Sequence, residues 1–390
     1  MSSVIQTKER FWNDSSKRAI IYQVLVIGII GMIGYYLFTN IQANLENQSI
    51  ATGFSFLAKE SSFEVTESLI PHSANHTYAN ALLVGVLNTL KVAFIGIVLT
   101  IVFGTFVGVA RLSTNWLLAK LAAIYIEVMR NIPVLLQLFF WYTIFYENLP
   151  SPRQALSPAK GIFLCNRGLY LSALEPDSAY VYMALAFLTG CLAVFFLRRW
   201  ALKRQEETGK FPPVFYVSLG ILIGLPLITW LIAGAPFEMN TPRLKGFNFE
   251  GGMNISPEFS ALLVGLVLYT AAFVAEIVRA GIQSVSQGQK EAAISLGLKP
   301  HRVLTLVVLP QALRVIIPPL TGQMLDLTKN SSLAVAIGYP DFVSMANTTI
   351  NQTGQAIEGV GLIMVVFLSF SLLTSIFMNM YNKKIALIER

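Results

Sequence analysis

The sequence predicts an all-α integral membrane protein of about eight spanning helices, and three observations predict it. The 390 residues are 54% hydrophobic and 13% charged, with a mean hydropathy of +0.61. The apolar residues fall in long uncharged runs, each near the ~20 residues that cross ~30 Å of hydrocarbon at 1.5 Å per residue. Lys and Arg gather beside the ends of those runs, the asymmetry that orients membrane helices. The net charge of +7 therefore orients the chain in a bilayer and does not point to nucleic acid. Cys165 and Cys191 are too few for a disulfide framework and show no metal spacing.

The candidate spans, in order, are 19–38, 82–110, 119–148, 180–197, 214–233, 258–281, 311–338 and 356–381. Lys17 and Arg18 precede the first, as in a signal peptide, but its apolar run is too long and no small-residue cleavage site follows. It is read as a retained helix. With alternating spans, one side collects Lys8, Arg10, Lys17 and Arg18, then Arg198, Arg199, Lys203, Arg204 and Lys210, then Lys290, Lys299 and Arg302, and finally Lys383 and Lys384. That side is expected to be the cytoplasm, so both termini lie inside. The segment 39–80 lies opposite, carrying Lys59 against Glu46, Glu60, Glu64 and Glu67. The linkers 149–179 and 234–257 are rich in Pro, Gly and Ser and fall on the same outer side, with a fold that sequence does not reveal.

One polar stretch interrupts this pattern on the inner side, EAAISLGLKPHRVLTLVVLP from Glu291 to Pro310. EAAISL is rich in helix formers, Gly297 can break that helix in a left-handed conformation, and Pro310 suits the first turn of the following span. Lys299, His301 and Arg302 hold the second arm in the headgroup layer or the water. The stretch is thus a short helix lying across the membrane face, either a mere connector or a surface presented to a partner.

The spacing Glu291-Ala292-Ala293, Gly297, Leu309-Pro310 resembles the EAA loop of ABC importer permeases, with Val307 where that family usually has Ile. The stretches LLVGVLNTLKVAFIGIVLTIVFGTFVGVARLS (82–113), YIEVMRNIPVLLQLFFWY (125–142), AAFVAEIVRAGI (271–282), LPQALRVIIPPL (309–320) and DLTKNSSLAVAIG (326–338) are similar to the polar amino-acid permeases. Asn131-Ile132 stands where that family has Gly-Thr before Pro133. FWND (11–14), GFSFL (53–57) and NHTYANALLVG (75–85) resemble the Q-type permease of the general L-amino-acid ABC importer. The resemblance implies a five-helix type I permease core made of spans 2, 3, 6, 7 and 8, with span 1 and the hairpin of spans 4 and 5 as additions. It divides the chain into an N-terminal helix and extracytoplasmic segment (1–79) and a permease domain (80–385), with the helical insertion at about 150–256 and the EAA loop at 282–310.

By the same resemblance, the loop docks into a dimeric ABC ATPase. A second homologous permease, an extracytoplasmic amino-acid-binding protein, membrane lipid and an L-amino-acid substrate complete the expected partners. The chain lacks G-x-x-x-x-G-K-[ST], so ATP and magnesium belong to the ATPase and this chain is expected to bind no cofactor. No hydrolytic motif occurs either, and a permease rather than an enzyme is expected. A secondary carrier or channel would share the intramembrane charges but needs no docking loop. A scaffold without transport explains neither the loop nor the polar residues described next.

Charges at membrane depth cost about 2.5–3.5 kcal/mol on insertion scales and mark functional or structural sites. Glu127/Arg130 and Glu276/Arg279 are spaced i, i+3 near the inner ends of their spans and read as gate-bracing or structural ion pairs. Asp326, Thr328, Lys329, Asn330, Ser331 and Ser332 interrupt the seventh span at or beyond mid-bilayer. They are the leading substrate-pathway candidates, with helix-to-helix hydrogen bonding as the alternative. Asn88, Thr89 and Lys91 are weaker candidates. His72 and His76 could share a metal only on a helix, and no third ligand is evident. Gly104/Gly108 and Gly220/Gly224 permit close helix approach, and Pro318-Pro319 should weaken the seventh span's hydrogen-bond ladder.

Overall fold

The computed structural model describes residues 15–47, 52–209 and 213–385. The FWND stretch, Lys8, Arg10 and Lys210 lie outside the described residues. The chain divides into two units, one made of the residues up to Lys91 with those from Pro340 onward, the other of Val92–Tyr339. The first turns of the second helix carry the segment before them and the loop after Tyr339, so they fall in the first unit.

In the first unit, α1 (Ser15–Asn47) is apolar along Arg18–Asn44 and almost wholly exposed, as befits a lipid-facing helix. Residues 52–77 then fold back on themselves. A short turn at Phe54–Ala58 buries Phe56, and paired backbone bonds join Ser61 to His76 at 2.8 Å and Ser62 to Ala74 at 2.9 Å. One His72 ring nitrogen lies 2.8 Å from Asn80 Oδ1 and the other 3.2 Å from the Phe63 carbonyl oxygen. His72 and His76 lie in turns, not on a helix, and no group of three or more metal-binding side chains occurs among the described residues.

α2 (Tyr78–Arg111) supplies the anchor. Asn88, fully buried, donates to the carbonyls of Glu67 (2.8 Å) and Pro340 (2.9 Å), and Thr89 accepts from the Phe342 amide at 3.0 Å. Lys91 pairs with Glu67 instead of reaching for solvent. These polar residues are accounted for by structure. The Lys91–Arg111 stretch measures about 30 Å, one hydrocarbon thickness, which sets this latch at one end of the span.

Asp341 belongs to the same latch, where it caps the first turn of the helix Phe342–Thr353 by accepting from Ser344 N at 2.9 Å. It is fully buried, and its second carboxyl oxygen has no partner. Burial pushes this carboxyl up from an ordinary 3.8 to about 7. The folded state thus holds the proton more tightly than the unfolded chain. The associated stability is complete below about pH 4 and is lost as pH rises through about 7. Asp341→Asn keeps an oxygen for Ser344 N without the charge. It should raise the melting temperature at pH 8 by on the order of 4 °C and leave it nearly unchanged at pH 4. Equal shifts at both pH values would show that the carboxyl does not titrate there.

The second unit is built around α7 (Pro257–Gln283), just over half of whose residues are buried. Ser256 caps its start by accepting from Phe259 N at 3.1 Å. Gly104 and Gly108 of α2 lie flat on it: a Cβ at Gly104 would stand 2.7 Å from Val274 Cβ, and one at Gly108 2.6 Å from the Ala275 carbonyl. This glycine pair is a true packing seam. Gly220 and Gly224 have nothing within 4 Å, so their spacing carries no contact within the described chain.

The single helix expected over 119–148 is broken. α3 (Trp116–Asn131) and α4 (Val134–Glu147) meet at 105°. Pro133 has no amide proton and forces Ile132 into an extended conformation at φ −96°, ψ 126°. Buried Gln137 repairs the end of α3 by donating to the carbonyls of Met129 (2.9 Å) and Ile132 (3.0 Å). α4 packs beside the first half of α7, with Leu138 on Gly265. α3 packs beside the middle and second half, where Tyr125 donates to the Leu268 carbonyl at 2.6 Å and Ala122 and Ile126 pack with Ala275. Counted as one broken span, the pair brings the described spans from seven to eight and keeps their alternation.

The linkers around the inserted hairpin are not structureless. β1 (Leu156–Ala159), β2 (Ile162–Cys165), β3 (Gly168–Leu171) and β4 (Ala173–Leu174) precede it. β5 (Met239–Asn240), β6 (Arg243–Lys245), β7 (Asn248–Glu250) and β8 (Met253–Ile255) follow it. β3 pairs with β8 and β4 with β5, all antiparallel, so the two linkers close into one cap over a small core of Cys165, Tyr170 and Phe249. The hairpin itself, α5 (Ser178–Thr208) and α6 (Val214–Ile232), packs as an antiparallel pair.

Candidate functional site

α7 ends at Gln283, and α8 (Gln287–Ser295) carries Glu291, Ala292 and Ala293. Its end is a Schellman turn: Gly297 N bonds Ile294 O at 2.8 Å and Leu298 N bonds Ala293 O at 3.2 Å. Gly297 sits at φ +77°, the left-handed conformation that favours glycine, with open space around it. Ala293 is buried with Val285, Val303, Val308 and Ala312 and anchors the loop. Glu291 and Ala292 face outward, and so do Ile294 and Leu296, the latter 83% exposed. Those two apolar side chains belong to the presented surface and were missed in the sequence. Their signal was present, since they lie off the face that Ala293 buries.

The following span starts earlier than Pro310. Helix α9 (Pro300–Val303) runs through a π-helical turn at Leu304–Val308 into α10 (Leu309–Asn330), so the helical rod begins at Pro300. Pro300 provides the pre-set first turn that Pro310 was expected to provide. The wider π turn directly before Pro310 accommodates its missing amide proton. Pro318 and Pro319 lie inside α10, close to where Ile316 packs on Gly281 so tightly that a Cβ there would collide.

Of the two E-x-x-R pairs, Glu276 and Arg279 form a bidentate ion pair, and Arg279 also donates to Gln283. Glu127 and Arg130 are not joined. Arg130 stands over the Phe273 ring at 5.1 Å, and Glu127 is exposed without an ion pair among the described residues. The break at Pro133 places both beside α7, so Arg130 finds an aromatic face there before it finds Glu127.

The six polar residues near the end of α10 do not form one patch. Thr328, Ser331 and Ser332 donate to the carbonyls of Met324, Thr328 and Lys329 in their own helix, at 2.9, 2.7 and 2.7 Å. Ser331 is fully buried. Asp326 and Lys329 are exposed and Asn330 half-buried. At 100° per residue these three share an arc of about 100°, continued toward the helix start by Gly322 and Pro319. The rod then tightens to a 3₁₀ turn (Ser331–Ile337) and stops at Gly338, φ +78°.

A bundle of long apolar helices, a glycine-terminated helix held out from it on a buried alanine, and a polar arc on the next span define an energy-coupled membrane permease subunit without catalytic machinery of its own. The family of binding-protein-dependent transport system inner membrane components matches residues 96–387, and the chain belongs to it. It is 46% identical to the general L-amino acid transport system permease protein AapQ of Rhizobium johnstonii, over 97% of this chain and 94% of that one. It is 40% identical to the glutamate/glutamine/aspartate/asparagine transport system permease protein BztB of Rhodobacter capsulatus, over 97% of this chain and 96% of that one. Membership implies an ATPase and a binding protein as partners and assigns no cofactor to the permease itself.

Proposed function

We propose that this chain is one permease subunit of an ATP-driven importer of L-amino acids. It receives its substrate from an extracytoplasmic binding protein and works beside a second, homologous permease and a dimeric ATPase that holds ATP and magnesium. The observation that carries this reading is the loop Gln287–Leu298: a helix of nine residues, ended by a left-handed glycine, pinned by Ala293 and showing Glu291, Ala292, Ile294 and Leu296 to solvent. A connector would have no reason to expose two large apolar side chains. A cleft on an ATPase would cover them. The charge bias supports a cytoplasmic position for this loop and for both termini.

The substrate path in this reading runs along the arc of Asp326, Lys329 and Asn330. Lys329 suits the carboxylate of a zwitterion, and Asp326 or Asn330 its ammonium. The Glu276–Arg279 pair braces the inner end of α7, next to the start of the docking loop.

Reconstitution tests the reading. Proteoliposomes containing this chain, its sister permease, the ATPase and the binding protein should accumulate L-amino acid only with internal ATP. Uptake driven by an ion gradient without ATP would move the protein to the secondary carriers.

A further inference from the structure

Helix α5 continues well past its apolar stretch. The uncharged run 179–197 covers about 28 Å, one hydrocarbon thickness. Arg198, Arg199, Lys203 and Arg204 follow on the same helix, which ends only at Thr208 with Gly209 in the left-handed conformation. Across the hairpin, Gly190 faces Ile221 and Leu222 of α6 at 3.7 Å. Antiparallel counting from that contact sets Arg198 level with the first turn of α6. Residues 199–208 therefore extend about 15 Å beyond that level.

Ala201 is fully buried in the hairpin. Arg199 and Lys203, two residues either side of it, lie about 200° around the helix and point the opposite way. The Arg199 guanidinium stacks 4.6 Å over the Phe195 ring, and that of Arg204 stacks 5.0 Å over Trp200. All four cations are exposed, and none takes part in an ion pair among the described residues, although Glu206 and Glu207 follow within one turn.

We propose that this end of α5 binds the phosphate of an acidic phospholipid, with Arg199 and Lys203 side by side on the face opposite Ala201 and Arg204, about 140° around the helix from Arg199, reaching in from the flank. Guanidinium groups bind phosphate oxygens two at a time, and stacking on a ring fixes the fork before the ligand arrives. Phe195 and Trp200 belong at the boundary between acyl chains and headgroups, where amphipathic rings settle. Cations packed beside the end of a spanning helix draw acidic headgroups into contact. The hairpin is an addition to the permease core, and a bound lipid would fix its depth in the bilayer. The inference depends on α5 crossing the membrane and not on what the protein transports, so the two can fail separately.

Native mass spectrometry of the purified complex, given equal amounts of palmitoyl-oleoyl phosphatidylglycerol and phosphatidylcholine, tests it. The parental protein should retain phosphatidylglycerol at least tenfold more than phosphatidylcholine, and less so as salt is raised. Millimolar inorganic phosphate should leave that preference intact. Arg199→Gln/Lys203→Gln/Arg204→Gln should abolish the preference, because each cation contributes several-fold. Lys160→Gln/Arg167→Gln/Arg243→Gln, which alters exposed cations of the β cap, should keep it. Equal retention of the two lipids by the parental protein, or the same preference in both variants, would overturn the proposal. Displacement by inorganic phosphate would assign the face to a soluble anion instead. A first variant that kept its lipid and lost the ATPase would assign it to a protein contact. If that variant does not fold, the salt series on the parental complex decides alone.

Discussion

Gly297→Val should separate ATP hydrolysis from uptake. The substitution meets no neighbour, since nothing lies within 4 Å of a Cβ at Gly297, so the whole penalty is in the backbone at φ +77°. A side chain in the left-handed region costs roughly 1–2 kcal/mol, and β-branching adds to it. The Schellman turn would open and release Ile294 and Leu296 from their presented positions. We expect ATP-driven uptake to fall more than tenfold in proteoliposomes while the protein inserts normally and the ATPase still turns over. Gly297→Asn, which tolerates this conformation, should keep most of the uptake. Glu291→Lys should uncouple as well, by reversing the one charge on the outer face of α8 next to Ala292. Parental uptake in both Gly297→Val and Glu291→Lys would remove the docking role of the loop.

Asn330→Ala and Lys329→Gln should each weaken transport about ten- to a hundredfold, because a hydrogen bond to a charged group is worth roughly 1.5–3 kcal/mol. A zwitterion crossing the bilayer must exchange its water for protein groups, and Asp326, Lys329 and Asn330 are the polar side chains that α10 leaves open at that depth. Ser331→Ala provides the contrast. Its hydroxyl bonds the Thr328 carbonyl inside the protein, so its loss should change stability slightly and substrate dependence not at all. Substrate-stimulated ATPase activity over a full titration is the cleaner readout, because delivery by the binding protein could mask a weak membrane site. Parental behaviour of Asn330→Ala and Lys329→Gln would place the substrate in the sister permease.

The spans were legible because hydrocarbon thickness fixes their length and lipid forbids charge along them. Seven described helices are long and apolar enough to cross. The break at Pro133 was written in the sequence and missed, since hydropathy continues through Ile132–Pro133 and only proline's missing proton and its effect on the preceding residue betray the bend. The β cap was illegible for a different reason. Its strands are two to four residues long, and those that matter pair across an insertion, as Leu169 does with Ile255. No local periodicity records such a partner. In the loop Gln287–Leu298, spacing located Glu291 and Gly297, but only the structure shows that Ala293 is buried while Ile294 and Leu296 are exposed. In α10, composition gathered six polar residues into one cluster, and helical phase splits them into an open arc and a self-bonded remainder.

If α8 seats against an ATPase on the cytoplasmic side, a single cysteine at Leu296 reports it most directly. In inside-out membrane vesicles carrying the assembled complex, that cysteine should cross-link to the ATPase subunit with a short bifunctional reagent. Without the ATPase it should react with membrane-impermeant maleimide only from the cytoplasmic side. A cysteine that labels from the outside, or that labels from the inside at the same rate with and without the ATPase and never cross-links to it, would contradict the account.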